Sequence, residues 1–330
     1  MKRSIKFASP AELRADPPSC DGKWDTGHDK FGPATLRYAA ITPARNEEGN
    51  LRRLAKCLAD QSLAPAAWIV VDDGSSDKTA AVIQTFAREH RWAAVIASPG
   101  ALLREGPLGA GRQSGRDVLA FNAGIAALTK DVDIVVKLDA DVSMAPSYFE
   151  HLMHEFRRDP CLGIAGGKCF ELHQGAWKAQ NVTGNHVRGA TRAYRRECLA
   201  QLEPLEQRLG WDVIDELGAQ LLGWRTRSIE TLPFFHHRPM GSRDGAWRAW
   251  WSQGETAHYL GYRPSYLVIR AFHRSKTNPT ALAMLGGWAA AGLRRRPRYS
   301  DKRVRDHLRR QQTLRNLRRR AQEALGQLTE

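Results

Sequence analysis

The stretch VVKLDADVSM (Val135–Met144) ends an apolar run in two carboxylates, Asp139 and Asp141, with a single small residue between them. On a strand, residues two apart point the same way, so both carboxylates share a face. Like charges this close repel, and a cation, a shared proton or solvent must relieve them. A solvated turn would do so. So would Mg²⁺ or Mn²⁺, whose hard character suits paired carboxylates and a bridging diphosphate. The surrounding chain decides between them.

Upstream, apolar runs and helical patterns alternate. Leu36–Ile41 reads as a buried strand, and Leu51, Leu54, Cys57 and Leu58 mark a helix over Glu47–Asp60. Trp68–Val71 is a second strand, ending in DDGSSDKT, where Ser76 or Asp77 can cap a helix over Thr79–Glu89. Ala93–Ala97 is a third strand. A Gly-rich loop, GPLGAGRQSGRD, and a helix VLAFNAGIAALT precede the fourth, Asp133–Leu138. Strands separated by helices of this length predict βαβ units in a mostly parallel sheet covered on both faces. Ligands bind beyond the carboxyl ends of such strands, so DDGS and DAD should line one crevice. Further on, Gly163–Leu172 reads as a strand, TRAYRRECLAQL (from Thr191) as a helix, and FFHHRP as a strand end followed by His236 and His237.

The chain has 330 residues, 42% hydrophobic and 26% charged, the composition of a globular protein with a sizeable core. Its five cysteines form no CxxC pair, which predicts free thiols and a cytoplasmic setting. The first residues lack the apolar core of a secretory signal, and no segment reaches the ~20 apolar residues of a membrane span. The net charge of +15 is uneven: Arg294–Arg320 holds twelve Arg and one Lys against two Asp, a net of +11. This tail has one aromatic residue, Tyr299, and so lacks the stacking platforms of a single-strand nucleic-acid binder. It follows the short apolar segment Ala281–Leu293, an order that favours contact with an anionic membrane surface through residues 281–320 over nucleic acid. Residues 1–36 read as a loosely ordered arm, 37–240 as the α/β domain (halves 37–141 and 142–240), and 241–330 as a helical, basic extension.

Other groups could carry chemistry. Asp72 and Asp73 end a strand before Gly74, where an acidic side chain can accept from ribose or base; an ordinary Asp-Gly turn fits the same residues. The loop GAGRQSGRD matches neither a dinucleotide fingerprint nor a P-loop. In GWDVIDELGAQ, a helix would crowd Asp212, Asp215 and Glu216 on one face, which suits a general base, though a helix start also favours acids.

In order, ITPARNEEGNL, VVDDGSSDKT, GRDVLAFNAGI, VVKLDADVSM, WDVIDELGAQLLGW and FFHH resemble the inverting family 2 glycosyltransferases, which have the GT-A fold. The resemblance spans about Arg37 to Arg238. It implies that Pro43, Arg45 and Glu47 form the first-strand turn at the nucleotide, that Asp72 and Asp73 bind base and ribose, and that Arg116 lies near the diphosphate. It implies that Asp139 and Asp141 are the DXD motif, with Asp139 also at the donor and Asp141 the more direct metal ligand, and that His236 completes the metal site. The family's base is the Asp of a Glu-Asp pair eleven positions before a Gly-aromatic pair; Gly223-Trp224 makes this Asp212, but Trp211 replaces the Glu, so Asp215 competes.

These residues lead to an expected hexosyltransferase-type reaction with a UDP-sugar or GDP-sugar donor, assisted by Mg²⁺ or Mn²⁺. The acceptor would be a sugar or lipid-linked hydroxyl in bacterial cell-surface polysaccharide or glycolipid synthesis, with the enzyme peripheral at the inner membrane face. Two rivals remain. LDADVS also resembles the haloacid-dehalogenase phosphatases, with Asp139 as nucleophile, although there the motif sits on the first strand. A basic nucleic-acid-binding protein is the non-enzymatic alternative.

Overall fold

The computed structural model describes residues 36–99, 115–173, 175–180, 186–238, 245–276, 278–313 and 316. The expected N-terminal arm, apart from Leu36, and most of the Gly-rich loop lie outside these residues. Strand β1 (Tyr38–Ala44) leads into α1 (Glu48–Ala59), β2 (Ala67–Asp72), α2 (Thr79–Glu89), β3 (Ala93–Ala97), α3 (Arg116–Ala126) and β4 (Ile134–Leu138). A short β5 (Val142–Met144), α4 (Tyr148–Arg158), a long β6 (Leu162–His173), β7 (Ala176–Ala179) and β8 (Thr191–Arg195) follow. Then come α5 (Arg196–Leu202), α6 (Trp211–Leu221) and β9 (Arg225–His236).

The strands form one nine-stranded sheet in the order β3-β2-β1-β4-β8-β6-β9-β5, with β7 paired to β6. From β3 to β4 it is parallel, as the βαβ pattern predicts. Beyond β4 antiparallel pairs enter, through β8 against β4 and β6. The strand period assigns each side chain to a layer. Tyr38, Ala40, Trp68, Val70, Ile134 and Val136 pack with α1, α2 and α4. Ala39, Ile41, Ile69, Val71 and Val135 pack with α3, α5 and α6. Lys137 is the next residue along β4 on the Val135 face, so a buried lysine points into the α3–α6 layer.

TRAYRRECLAQL departs from the helical expectation: its first five residues are β8 and only Arg196–Leu202 are helical. Pairing decides this. β8 docks against β4 with Tyr194 opposite Val135 and Arg192 opposite Lys137, and the arginine buried mid-strand disguised the run as polar. Cys57, Cys169 and Cys198 are free thiols, as expected, but Cys161 is disulfide-bonded. Spacing along the chain does not say which sulfurs meet in space.

Beyond the sheet lie α7 (Ala246–Tyr259), α8 (Pro264–Ser275), a 3-10 turn (Pro279–Leu282), α9 (Ala283–Leu293) and α10 (Lys302–Gln311). Among the described residues no helix is long and apolar enough to cross a membrane. The apolar segment Ala281–Leu293 is partly internal, burying Ala281, Ala283, Met284, Gly287 and Ala291. Met284 joins Ala257 and Leu267 in a small core, with Trp250, Leu285 and Trp288 packed against it. Helices α7 and α9 touch through glycines: a Cβ at Gly254 would lie 2.0 Å from Met284 O, and one at Gly287 2.1 Å from Trp251 O. Helix α10 turns Val304 and Leu308 onto Ile214 and Leu217 of α6.

Gly287→Ala should therefore lower the Tm. Its gain in helix propensity is about 1 kcal/mol, while overpacking against backbone costs up to about 3 kcal/mol. A thermal melt showing a raised Tm would contradict this packing.

Candidate active site

The site is assembled at the carboxyl ends of β1, β2 and β4. After β2, Gly74 takes φ +76°, a left-handed turn that glycine accepts without strain. Asp72 Oδ1 accepts from Ser75 N at 3.0 Å, so this carboxylate holds the turn. Asn46, itself at φ +54°, braces the turn from β1 by accepting from Ser76 N at 2.8 Å. Asp73 faces inward. Its Oδ2 lies 2.7 Å from Arg116 Nε, at the start of α3. Its Oδ1 is buried and accepts no hydrogen bond among the described residues, and the buried Arg45 Nε likewise finds no acceptor. An unpaired buried acceptor is costly, and a base N–H or ribose hydroxyl would satisfy it. Pro43 sits half-buried in β1 beside this turn, paired in register with Val71.

The second cluster forms where β4, β5 and β9 meet. Asp139, Asp141 and His236 each bring a ligand atom within 4.8 Å of the others. His236 Nε2 lies 3.1 Å from Asp141 Oδ1. Arg238 reaches Asp141 Oδ2 at 3.3 Å and donates to Glu47 Oε2 at 2.6 Å, tying the β1 turn to this cluster. Lys137 Nζ lies 2.6 Å from Asp139 Oδ1. Burial raises the Asp141 carboxyl, but His236 and Arg238 more than offset it and hold it at about 2. Burial likewise depresses the His236 imidazole, yet its bonds to Asp141 and Cys169 push it up to about 10. The two carboxylates and one imidazole fit a hard divalent cation, with the proton on His236 to be released on binding. Cys169 and Glu171 flank the same imidazole and form a second group of ligand atoms within 4.8 Å.

The candidate bases separate by environment. Asp215 is buried, and Arg192 grips it through Nη2 to Oδ1 at 2.7 Å and Nε to Oδ2 at 3.2 Å, while the Tyr194 hydroxyl donates to Oδ2. Burial pushes Asp215 up to about 7 against the pull of Arg192. Glu216 is spoken for by His186 Nδ1 at 2.9 Å. Asp212 is half-buried in the first turn of α6, and its carboxylate has no hydrogen bond or ion pair among the described residues. Its carbonyl accepts from Arg192 Nη2 at 2.8 Å. Trp211, next to it, lies under Lys137 Nζ at 5.4 Å from the ring centroid. The start of α6 thus adjoins the Asp139 side chain.

Sequence reasoning missed Lys137 and Arg192. The available signals were a lysine two before Asp139 in an otherwise apolar strand, and an arginine alternating with Thr191 and Ala193.

Residues 39–168 match the family described as Glycosyl transferase family 2. No curated protein matches the chain. A solved mannosyltransferase, PcManGT from Pyrobaculum calidifontis in complex with GDP-Man and Mn²⁺, is similar at TM-score 0.52 and 14% identity, over 92% of this chain and 88% of that one. GalNAc-T7 with UDP, GalNAc and Mn²⁺ is similar at TM-score 0.51 and 12% identity, over 69% of this chain and 49% of that one. Residues 39–168 thus carry a family 2 glycosyltransferase domain, and the sheet with its flanking helices has the GT-A fold. The carboxylate pair follows the fourth strand, whereas the phosphatase motif sits on the first.

Two predictions separate these roles. At pH 8, Asp215→Asn strands a buried guanidinium and should cost about 3–5 kcal/mol. Asp212→Asn removes an unpartnered carboxylate and should change stability by only about 0.5 kcal/mol; chemical denaturation of both variants measures the difference. In chelator, the raised His236 contributes stability that is complete below its unfolded value of about 6.5 and is lost as pH climbs through about 10. The Tm should decline over that window, and His236→Gln should flatten the decline.

Proposed function

We propose that the enzyme transfers a sugar from a nucleoside-diphosphate donor, a UDP-sugar or a GDP-sugar, to an acceptor hydroxyl with inversion. The observation that carries this reading is the meeting of Asp139, Asp141 and His236, linked through Lys137 to Trp211, next in sequence to Asp212, whose carboxylate has no hydrogen bond or ion pair among the described residues. The GDP-Man and Mn²⁺ held by one fold neighbour, and the UDP and Mn²⁺ held by another, support the donor class.

In this reading Asp73 and Asp72 receive base and ribose at the end of β2, with Pro43, Arg45 and Glu47 forming the opposite wall. Asp139, Asp141 and His236 hold Mg²⁺ or Mn²⁺, which when bound supplies Lewis-acid charge to the diphosphate. Arg116 adds positive charge at the diphosphate, and Arg238 does so from the metal side. Lys137 orients Asp139 through its contact with Oδ1. Asp212 takes the acceptor proton as the acceptor oxygen bonds to the anomeric carbon and the bond to the diphosphate oxygen breaks. Attack opposite the leaving group inverts the configuration. Asp215 cannot serve, because both its oxygens are engaged by Arg192 and Tyr194; it positions the helix that carries Asp212.

Turnover of UDP- and GDP-sugars with Mn²⁺ tests this assignment. Asp212→Asn should lower kcat by about 10²–10⁴-fold and leave nucleotide affinity within about twofold. Asp141→Ala should lose metal-stimulated turnover. Full turnover in Asp212→Asn would make the base assignment wrong.

A further inference from the structure

The apolar segment 281–293 and the basic tail that follows it, the expected membrane surface, are described here up to residue 313 and at residue 316. The fold uses much of both internally. Gly286 and Gly287 of α9 pack against Trp251, and α10 spends Val304 and Leu308 on α6. His307 and Gln311 of α10 also bond Gln220 Oε1, each at 3.0 Å. An amphipathic helix already docked by its apolar stripe has little left to offer a bilayer.

The unpartnered apolar surface lies next door. Helix α8 buries Leu267 and Ala271, and exposes Val268, Ile269 and Phe272, the last at 56%. These three stand at i, i+1 and i+4, one stripe of the helix, facing away from the small core. Leu282 in the 3-10 turn is also exposed, as is Leu293 at the end of α9, at 85%. Large apolar side chains gathered on one small helical subdomain mark a docking surface rather than scattered exposure.

Charge names the occupant. From Ala257 to Ser300 the chain has eight Arg or Lys and no Asp or Glu. Arg270, Arg274 and Lys276 lie on α8 or at its end, and Arg294, Arg295, Arg296 and Arg298 follow Leu293 directly. An exposed apolar stripe carried on a segment whose charged residues are all basic matches the interface of an anionic bilayer, where apolar groups enter the acyl boundary and cations meet headgroups. A protein groove would need matching acidic rims to gain from the same pattern.

We infer that α8 and the adjoining α9 end form a docking face for an anionic lipid bilayer, entered by Val268, Ile269, Phe272, Leu282 and Leu293 and held by the surrounding arginines. This face stands independently of the donor and base assignments. It also lies near the acceptor half of the crevice: burial and the guanidiniums of Arg270 and Arg188 depress Arg274, and Arg188 Nη1 is 3.4 Å from Glu171 Oε1 beside His236.

Co-sedimentation of the full chain with phosphatidylcholine vesicles, with and without phosphatidylglycerol, tests the inference. Binding should require the anionic lipid and fall as salt is raised. The double variant Ile269→Asp/Phe272→Asp should bind about tenfold or more weakly with an unchanged Tm and unchanged nucleotide affinity. Arg294→Ser/Arg295→Ser/Arg296→Ser should weaken binding and flatten its salt dependence. Equal binding to neutral vesicles, or undiminished binding by the double variant, would overturn the inference. So would a dimer in sedimentation velocity that the double variant dissociates while vesicles are not bound, which would assign the face to a second copy.

Discussion

A guanidinium without access to water joins the two sides of the crevice. Arg192 is fully buried on β8, the strand that pairs with the one carrying the carboxylate motif, and it grips Asp215 on α6. A buried arginine cannot shed its charge, so every donor must find an acceptor. Here the acceptors are the Asp215 carboxylate and the carbonyls of Val187 and Asp212. The Asp215 carboxylate and the Asp212 carbonyl both lie on α6, so these contacts place that helix, and with it Asp212, relative to the sheet. An apolar pair of the same volume could give equal stability; the ionic pair adds direction, because only one arrangement satisfies the planar fork.

The crevice floor follows the same logic of opposed charges. Asp139, Asp141 and Glu47 are met by Lys137, His236 and Arg238, so the like charges of the opening motif are relieved by protein cations. A divalent cation and a diphosphate would redistribute these contacts. His236 would yield its proton, and Arg238 would be free to turn towards the phosphate. Asp73 differs, since one of its oxygens is buried without a hydrogen bond among the described residues. Such an atom is an acceptor that a ligand N–H or hydroxyl would satisfy.

Much of this was legible in the sequence. The parallel half of the sheet could be read because each strand is an apolar run ended by Asp or a turn. What stayed hidden depended on partners distant in sequence. Arg192 looks like a surface residue until β8 is paired with β4 and Asp215 is brought to it. Asp215 and Asp212 looked equivalent by helical spacing, and only burial distinguishes them. The apolar face of α8 shows only once Leu267 and Ala271 are seen to be buried and Val268, Ile269 and Phe272 exposed. Periodicity reveals a stripe but not whether anything covers it.

The central claim is that the β2 turn and the Asp139–Asp141–His236 cluster form one nucleotide-diphosphate site. Calorimetric titration of UDP and GDP, each with and without Mn²⁺, tests it most directly. The account predicts that one nucleotide binds tightly only with Mn²⁺, that Asp141→Asn abolishes the metal's contribution, and that Asp73→Asn weakens the nucleotide with or without it. Nucleotide binding equally strong without metal and indifferent to Asp141 would contradict the account.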